Sequence, residues 1–290
     1  MPELPEVQTI VSDLNRKVKG EKIVDFWTDW PKLVKFPTPQ LLGKKIKGLR
    51  IQRIERIGKN IVFFFSNDNA LLVHQKMTGH LMVGRWVVED GKVRPKGKGV
   101  LHDRVNQYIH ALFYLQSGEM IALSDMRKFA RIAFGKTEEI LQLKDITMLG
   151  PDALDPKLAF KTFSQKIGAR KRSIKLTLMD PSVIAGIGNI YADDILWTAK
   201  IHPLRKANTL KESELRVIFK STKEVLRRAV RLRGASVGDY RDTAGDKGMY
   251  GKAILAYRRT GKPCKRCKGP IQRIRIGQRS AHFCPHCQKL

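Results

Sequence analysis

Apolar residues near the start of the chain recur at the helical interval. Val7, Ile10, Val11, Leu14 and Val18 fall on one face. Pro5 suits a first helical turn and Gly20 a stop, so the pattern predicts a helix over 6–19. The rhythm then shortens. Apolar runs at 23–27, 46–54, 61–65, 70–74, 81–88, 108–115, 120–123 and 131–134 are separated by Gly, Asn, Asp and Pro. That punctuation predicts a sandwich or barrel of short strands. Residues 89–104, basic and glycine-containing, read as an exposed loop. Near 136 the pattern changes again. Turn signals over 137–156 suggest a connection, and helical periodicity follows at 159–167, 171–179, 190–199 and 210–232. Thr209-Leu210-Lys211-Glu212 has capping-box spacing for the last helix, and Gly234 ends it. The Gly- and Asp-rich stretch 235–251 reads as a mobile loop.

Composition narrows the class. A length of 290 residues suggests about two domains, and 42% hydrophobic residues exclude a disordered chain. Lys and Arg number 56 against 27 Asp and Glu, a net charge of +29. The excess is uneven: residues 200–290 hold 24 Lys and Arg against 6 Asp and Glu. Such a charge repels itself, and a polyanionic partner offsets the cost. Nucleic acid is the first expectation. A basic solvated surface and an anionic membrane surface stay open. The longest apolar run, 61–65, is far short of the ~18 residues of a membrane span. Glu3 and Glu6 stand where a signal peptide would be positive and apolar, so a cytoplasmic location is expected.

All four cysteines lie within 264–287. Cys264-x2-Cys267, sixteen residues, then Cys284-x2-Cys287 is the spacing of a four-thiolate zinc site. Four thiolates close the coordination, so one structural zinc is expected, with His282 and His286 as non-ligands. Between the pairs, 271–276 is strand-like, Gly277-Gln278 suits a hairpin tip, and 280–283 returns. Arg273, Arg275 and Arg279 decorate the hairpin, either as a solvated ribbon or as a DNA contact.

The N-terminus reads Met1-Pro2-Glu3-Leu4-Pro5-Glu6-Val7. Removal of Met1 would leave Pro2 with a secondary α-amine, whose pKa of about 7.7–8.0 keeps a neutral, nucleophilic fraction near pH 7. Attack on a sugar carbon gives an iminium ion, an electron sink for eliminations. Glu3 and Glu6 offer carboxylates for proton transfer. The alternative is an ordinary capped helix start with two acids at its positive end.

Three motifs in order, Pro2-Glu3-Leu4-Pro5-Glu6, Gly186-Ile187-Gly188-Asn189-Ile190-Tyr191-Ala192-Asp193 and the four-cysteine hairpin, resemble bacterial formamidopyrimidine-DNA glycosylase over nearly the whole chain. The resemblance implies an α+β fold. It has an N-terminal β-sandwich catalytic domain preceded by a helix (1–135) and a linker (136–156). A helix–two-turns–helix DNA-binding domain with a lesion-capping loop (157–255) and a zinc finger (256–290) follow. It implies base-excision repair of oxidised purines in double-stranded damaged DNA, by a monomer in the bacterial cytoplasm, nucleoid-associated and without a membrane. Pro2 matches the nucleophile at the deoxyribose C1′ and Glu3 the acid on the opening sugar. Glu6 matches a supporting carboxylate. Lys59, in Arg56-Ile57-Gly58-Lys59, matches the lysine at the lesion phosphate. Asn189 and Arg279 match the residues that grip the DNA backbone. Met77, Arg127 and Phe129 match the wedge that fills the space of the extruded base. Residues 236–250 match the loop over that base. Three features depart from the family pattern: Ala130 follows Phe129, His74-Gln75-Lys76-Met77 is more polar, and the stretch from 77 to 127 is longer. An endonuclease VIII-like glycosylase for oxidised pyrimidines, a non-catalytic damaged-DNA-binding protein and a zinc-ribbon RNA scaffold are the alternatives. Leu4 speaks against the first, and an intact Pro2 and Glu3 against the others.

Overall fold

The computed structural model describes residues 2–290. They group into two compact units: residues through Thr147 joined by Leu232–Gly251, and Met148–Arg231 joined by Lys252–Leu290. Among the described residues, no helix is long and apolar enough to cross a membrane.

The first unit opens with α1 (Leu4–Lys17), two residues ahead of the expected start. Glu3 is its N-cap, and Val7, Ile10, Val11 and Leu14 are buried along one face. Eleven strands follow: β1 (Ile23–Thr28), β2 (Val34–Phe36), β3 (Ile51–Ile57), β4 (Asn60–Phe65), β5 (Asn69–His74), β6 (His80–Gly84), β7 (Trp86–Glu89), β8 (Lys92–Pro95), β9 (Ile109–Leu115), β10 (Met120–Ser124) and β11 (Arg131–Lys136). One sheet has the order β1-β9-β10-β6, the other β2-β11-β5-β4-β3. Strand alternation sorts the side chains. Ile61, Phe63 and Phe65 of β4, Leu71 and Val73 of β5, and Phe113 and Leu115 of β9 join α1 in one core between the sheets.

The outer faces are covered too, which explains why every residue of β4 is buried. Val62, Phe64, Ala70 and Leu72 pack under Ile140, Leu141, Leu143 and Ile146 of the segment holding α3 (Thr137–Leu141) and α4 (Lys144–Thr147). The expected connection at 137–156 is thus in its first half a helical lid on the five-stranded sheet. On the other sheet, Met82, Leu112 and Ala122 pack with Trp86, Val88, Val93 and Leu101. The stretch 89–104 is therefore not a loop. It carries the return strand of the β7–β8 hairpin and two 3-10 turns. The run 46–54 is also corrected. Thr38 caps a helix α2 (Pro39–Ile46), and the strand begins only at Ile51.

The second unit contains α5 (Phe160–Gly168), α6 (Ile174–Leu178), α7 (Asn189–Ala199), α8 (Glu212–Arg231) and a hairpin of β12 (Gln272–Ile276) and β13 (Arg279–Phe283). Phe163 of α5 meets Phe219 of α8 at 5.1 Å between ring centroids. The capping signal before α8 is displaced. Thr209 closes a 3-10 turn, and Glu214 instead accepts from Lys211 N at 2.8 Å. Helix α7 is buried nearly all round, including Asp193 and Asp194, and those two carboxylates organise what lies beside it.

Candidate active site and nucleic-acid interface

In the first unit Pro2, Glu3 and Glu6 are buried at the start of α1. Glu6 Oε2 accepts from Glu3 N at 2.8 Å and Oε1 from Ala235 N at 2.7 Å. The carboxylate therefore staples the N-terminus to a segment more than two hundred residues away. Gly234 makes the approach possible: its φ is +79°, and a Cβ there would lie 2.7 Å from Glu6 Oε1. Arg233 bridges Asp13 of α1 and Asp242, with contacts of 2.5 and 2.6 Å. Burial alone would raise the Asp13 pKa, but the Arg233 guanidinium holds it below the usual carboxylate value. Tyr240, Asp242 and Thr243 are buried. The stretch expected to be a mobile loop is thus pinned at its base, because the Tyr240 and Thr243 hydroxyls donate to α1 and the Thr243 carbonyl accepts from Val83 N of β6.

Three loops gather at one end of the sandwich. Gly58, at φ +62°, turns the chain from β3 to β4 and places Lys59 at the hairpin tip. Asn60 pairs with His74, and His74 with Arg131. The loops 75–79 and 125–130 emerge beside them and carry Met77, Arg127 and Phe129. Met77 is 39% and Phe129 47% exposed, although both are large apolar residues, and Arg127 stacks over the Phe129 ring at 4.6 Å. Asp125 builds this pair of loops. Its fully buried carboxylate accepts from Phe129 N and Ala130 N, both at 2.7 Å, from Arg127 N at 3.3 Å, and from the Thr78 hydroxyl. The unusual Ala130 fits this frame, since its methyl group enters the main core.

His74 sits among cations. Burial, then Lys76, Lys59 and Arg131, push its pKa down to about 3. The ring is neutral at pH 7. Lys76 N donates to Nδ1 at 2.9 Å, which assigns the proton to Nε2 and leaves that N–H as a donor.

The second unit brings Asn189, Arg279 and the cysteines into one framework. Asn189 starts α7, and its buried Oδ1 has no hydrogen-bond partner among the described residues. One turn on, Asp193 accepts from Lys175 Nζ, from His282 N at 3.0 Å and from His282 Nδ1 at 2.8 Å. Lys175 Nζ also donates to Ser280 O at 2.6 Å, next to Arg279. Asp194 accepts from Leu255 N and Ala256 N at 3.0 and 2.9 Å. Together they fix the start of α7 against the hairpin.

The four Sγ atoms lie within 4.8 Å of one another. A tetrahedral zinc with bonds of about 2.3 Å needs sulfurs about 3.8 Å apart, so the group fits the ion. Trp197 Nε1 and Arg266 N both donate to Cys264 Sγ, at 3.3 and 3.4 Å, as suits a thiolate. The cluster holds one structural zinc, which has no open position for chemistry.

Asp125, Asp193, Lys175 and His74 are the residues that motif reading missed. Asp125 precedes Met126-Arg127, and an Asp before a turn is the available signal. For Asp193 and Lys175 the signal is a charge set within an otherwise apolar helical pattern.

Comparison with known proteins gives three matched segments. Residues 1–132 match the model of the formamidopyrimidine-DNA glycosylase N-terminal domain, 149–241 its H2TH domain, and 261–290 the zinc finger found in FPG and IleRS. Formamidopyrimidine-DNA glycosylase of Herpetosiphon aurantiacus is 37% identical over 289 residues, covering 99% of this chain and 100% of the relative. That of Protochlamydia amoebophila is 37% identical over 295 residues, with all of both chains covered. Among solved structures, Lactococcus lactis Fpg in complex with abasic-site DNA superposes with a TM-score of 0.86 at 30% identity, covering 99% of this chain and 100% of the other. The same enzyme with Fapy-dG DNA gives 0.85 at 30%, with the same coverage.

Proposed function

The chain belongs to the formamidopyrimidine-DNA glycosylase family, and on that premise we propose that its excision chemistry runs through the amine of Pro2. The protein is a base-excision repair enzyme, a glycosylase for oxidised purines with AP lyase activity. The observation that carries the residue assignment is the buried Glu3–Glu6 corner, where two acids are held within one turn of Pro2.

Loss of Met1 frees the Pro2 nitrogen. Its lone pair attacks C1′ of the extruded nucleotide, and the C1′–N bond to the base breaks with its electrons leaving on the base. Glu3 takes the proton that the attacking amine releases and passes it to O4′ as the sugar ring opens and the iminium forms. Loss of a C2′ proton expels the 3′ phosphate, and a second elimination expels the 5′ phosphate. Hydrolysis then returns the amine. Glu6, with both oxygens engaged by backbone N–H groups, acts as a positioning residue. Met77, Arg127 and Phe129 occupy the vacated stack, and the loop 236–250 covers the base. Lys59 and the Nε2–H of His74 hold the lesion phosphate from the first unit. Asn189 and Arg279 hold the backbone from the second. One chain supplies every residue named, so the enzyme acts as a monomer, in the bacterial cytoplasm at the nucleoid.

Borohydride added to a reaction with duplex 8-oxoguanine DNA should trap a covalent adduct with protein lacking Met1. Absence of an adduct refutes the amine assignment. An uncleaved N-terminal extension, which holds the Pro2 nitrogen in a peptide bond, should abolish both base release and strand cleavage. Faster turnover of an oxidised pyrimidine than of 8-oxoguanine opposite cytosine would favour the endonuclease VIII-like reading.

A further inference from the structure

The β7–β8 hairpin is amphipathic in a specific way. Val93 packs in the cluster with Met82, Trp86 and Leu112, and Pro95 is buried. Lys92, Arg94 and Lys96 alternate with them and are exposed, and exposed Lys98 follows. Alternate strand residues stand about 6.6 Å apart, a separation close to that of successive phosphates along one strand. A buried apolar side thus turns Lys92 and Arg94 of β8 to solvent, and Lys96 and Lys98 follow past the strand end, where Gly97 at φ +80° turns the chain.

The row has a defined place. Residues 91–94 surround one cavity together with Asp29 and residues 107–110, beside the end of β1 and the start of β9. In the same sheet, Ser124 at the end of β10 faces both His80 at the start of β6 and Ile109 at the start of β9. Those strand ends lead to the wedge loops 75–79 and 125–130. The hairpin tip therefore lies at the wedge-bearing end of the sheet, two to three strands away, or about 10–15 Å. Nearby acids do not cancel the row. Asp103 pairs with Arg241 at 2.8 Å, and Asp29, Glu89 and Asp90 are the acids left beside the four cations.

We propose that Lys92, Arg94, Lys96 and Lys98 form an accessory docking edge for the sugar-phosphate backbone of the duplex flanking the damaged nucleotide. The edge rests on the reading of this chain as a DNA glycosylase. It adds affinity without touching the reacting atoms. Each phosphate that it neutralises releases counterions and steepens the salt dependence of binding by about 0.9 in log K against log salt.

The test uses the full-length zinc protein and a duplex carrying a stable abasic analogue. Neutral methylphosphonates replace its phosphates one at a time. Wild-type affinity should fall at phosphates beside the lesion and again at a second group several nucleotides away. A variant with Lys92→Ser, Arg94→Ser, Lys96→Ser and Lys98→Ser keeps Val93 and Pro95 and so keeps the hairpin. It should lose the second group only, bind about tenfold more weakly at low salt, and show a salt slope lower by about 2–4. Its single-turnover excision at saturating enzyme should match wild type. An unchanged methylphosphonate profile, or an unchanged slope, overturns the proposal. So does a uniform loss at every phosphate, which marks diffuse attraction. Cleavage of lesion DNA by the wild type checks the underlying activity separately.

Discussion

In the first unit the Glu6 carboxylate is met by two backbone N–H groups. In the second, the Asp193 carboxylate is met by a lysine with no exposed surface and by a histidine. Both acids join a helix to a distant segment that carries function. The costs of disturbing them differ. Backbone donors at a helix start need an acceptor in any case, so Glu6 satisfies groups that exist whatever the side chain. Lys175 and Asp193 each surrender hydration, and each is tolerable only while the other is present. The first arrangement is robust to loss of charge, and the second is not. The second unit adds a metal, since a hairpin of this size has little core of its own.

The largest expected break is therefore loss of zinc. Cys264→Ser, or chelation of the wild type, should unfold residues around 260–290 and displace Arg279, the proposed backbone contact. Binding to lesion duplex should weaken about tenfold or more. Hydrogen exchange should rise across the hairpin and stay unchanged in β4 and β5 of the first unit. Protection retained in β12 and β13 after complete metal removal would refute a folding role for the ion.

Next comes Lys175→Met, which leaves Asp193 charged and buried. A loss of about 3–5 kcal/mol in the second unit follows for breaking one side of such a pair. Trp197 reports it cleanly, as the tryptophan that packs beside Cys264. Adding Asp193→Asn removes the stranded charge and should recover part of the loss. A double variant less stable than the single by the full additive amount would show that the two residues are not coupled.

The same contrast decides what the chain reveals before folding. Helix α1, the strands of the sandwich and the zinc hairpin are legible because each rests on local periodicity or spacing. The cysteines are legible for the same reason, whereas the roles proposed for Pro2 and Glu3 rest on a family resemblance and on no local rule. The β7–β8 hairpin was not. Its strands have four residues each, and Lys and Gly at its turn outweigh the apolar alternation of Trp86, Val88 and Val93. Helix α2 is hidden because its last residue, Ile46, opens the apolar run 46–54 that continues into β3, and its Thr38-Pro39 start signal precedes only about two turns. The packing of 232–251 on α1 depends on Glu6, Asp13 and their partners across the sequence, and no local rule encodes that pairing. Lys175 and Asp193 illustrate the limit: a buried charge is legible as odd, but its partner is not.

Glu6→Gln sharpens the comparison from the other side. One amide oxygen still accepts, but the amide nitrogen now faces a second N–H. A loss of about 1–3 kcal/mol is expected in the first unit, less than for Lys175→Met. On the proposal that Glu6, which accepts from Glu3 N, positions Pro2 and Glu3, strand cleavage at a preformed abasic site should slow while DNA affinity holds. A variant with normal cleavage and reduced stability would leave Glu6 a purely structural role.

At neutral pH the smallest effect is that of His74, which emerges only on acidification. His74 has an unfolded value near 6.5 and a folded value of about 3. Between these, the unfolded chain binds a proton that the folded chain does not. The contribution of His74 to stability is therefore full above pH 6.5 and lost progressively as pH falls toward 3. Asp13, held below its usual value, adds a further loss of the same sign at the acid end of that range. His74→Asn should flatten the decline in the first unit, read by hydrogen exchange in β5 and β11, and leave the second unit unaltered. A bound phosphate would offset Lys59, Lys76 and Arg131 and raise the His74 pKa, so lesion DNA should also reduce the slope. An identical slope with and without DNA would show that the phosphate does not reach this ring.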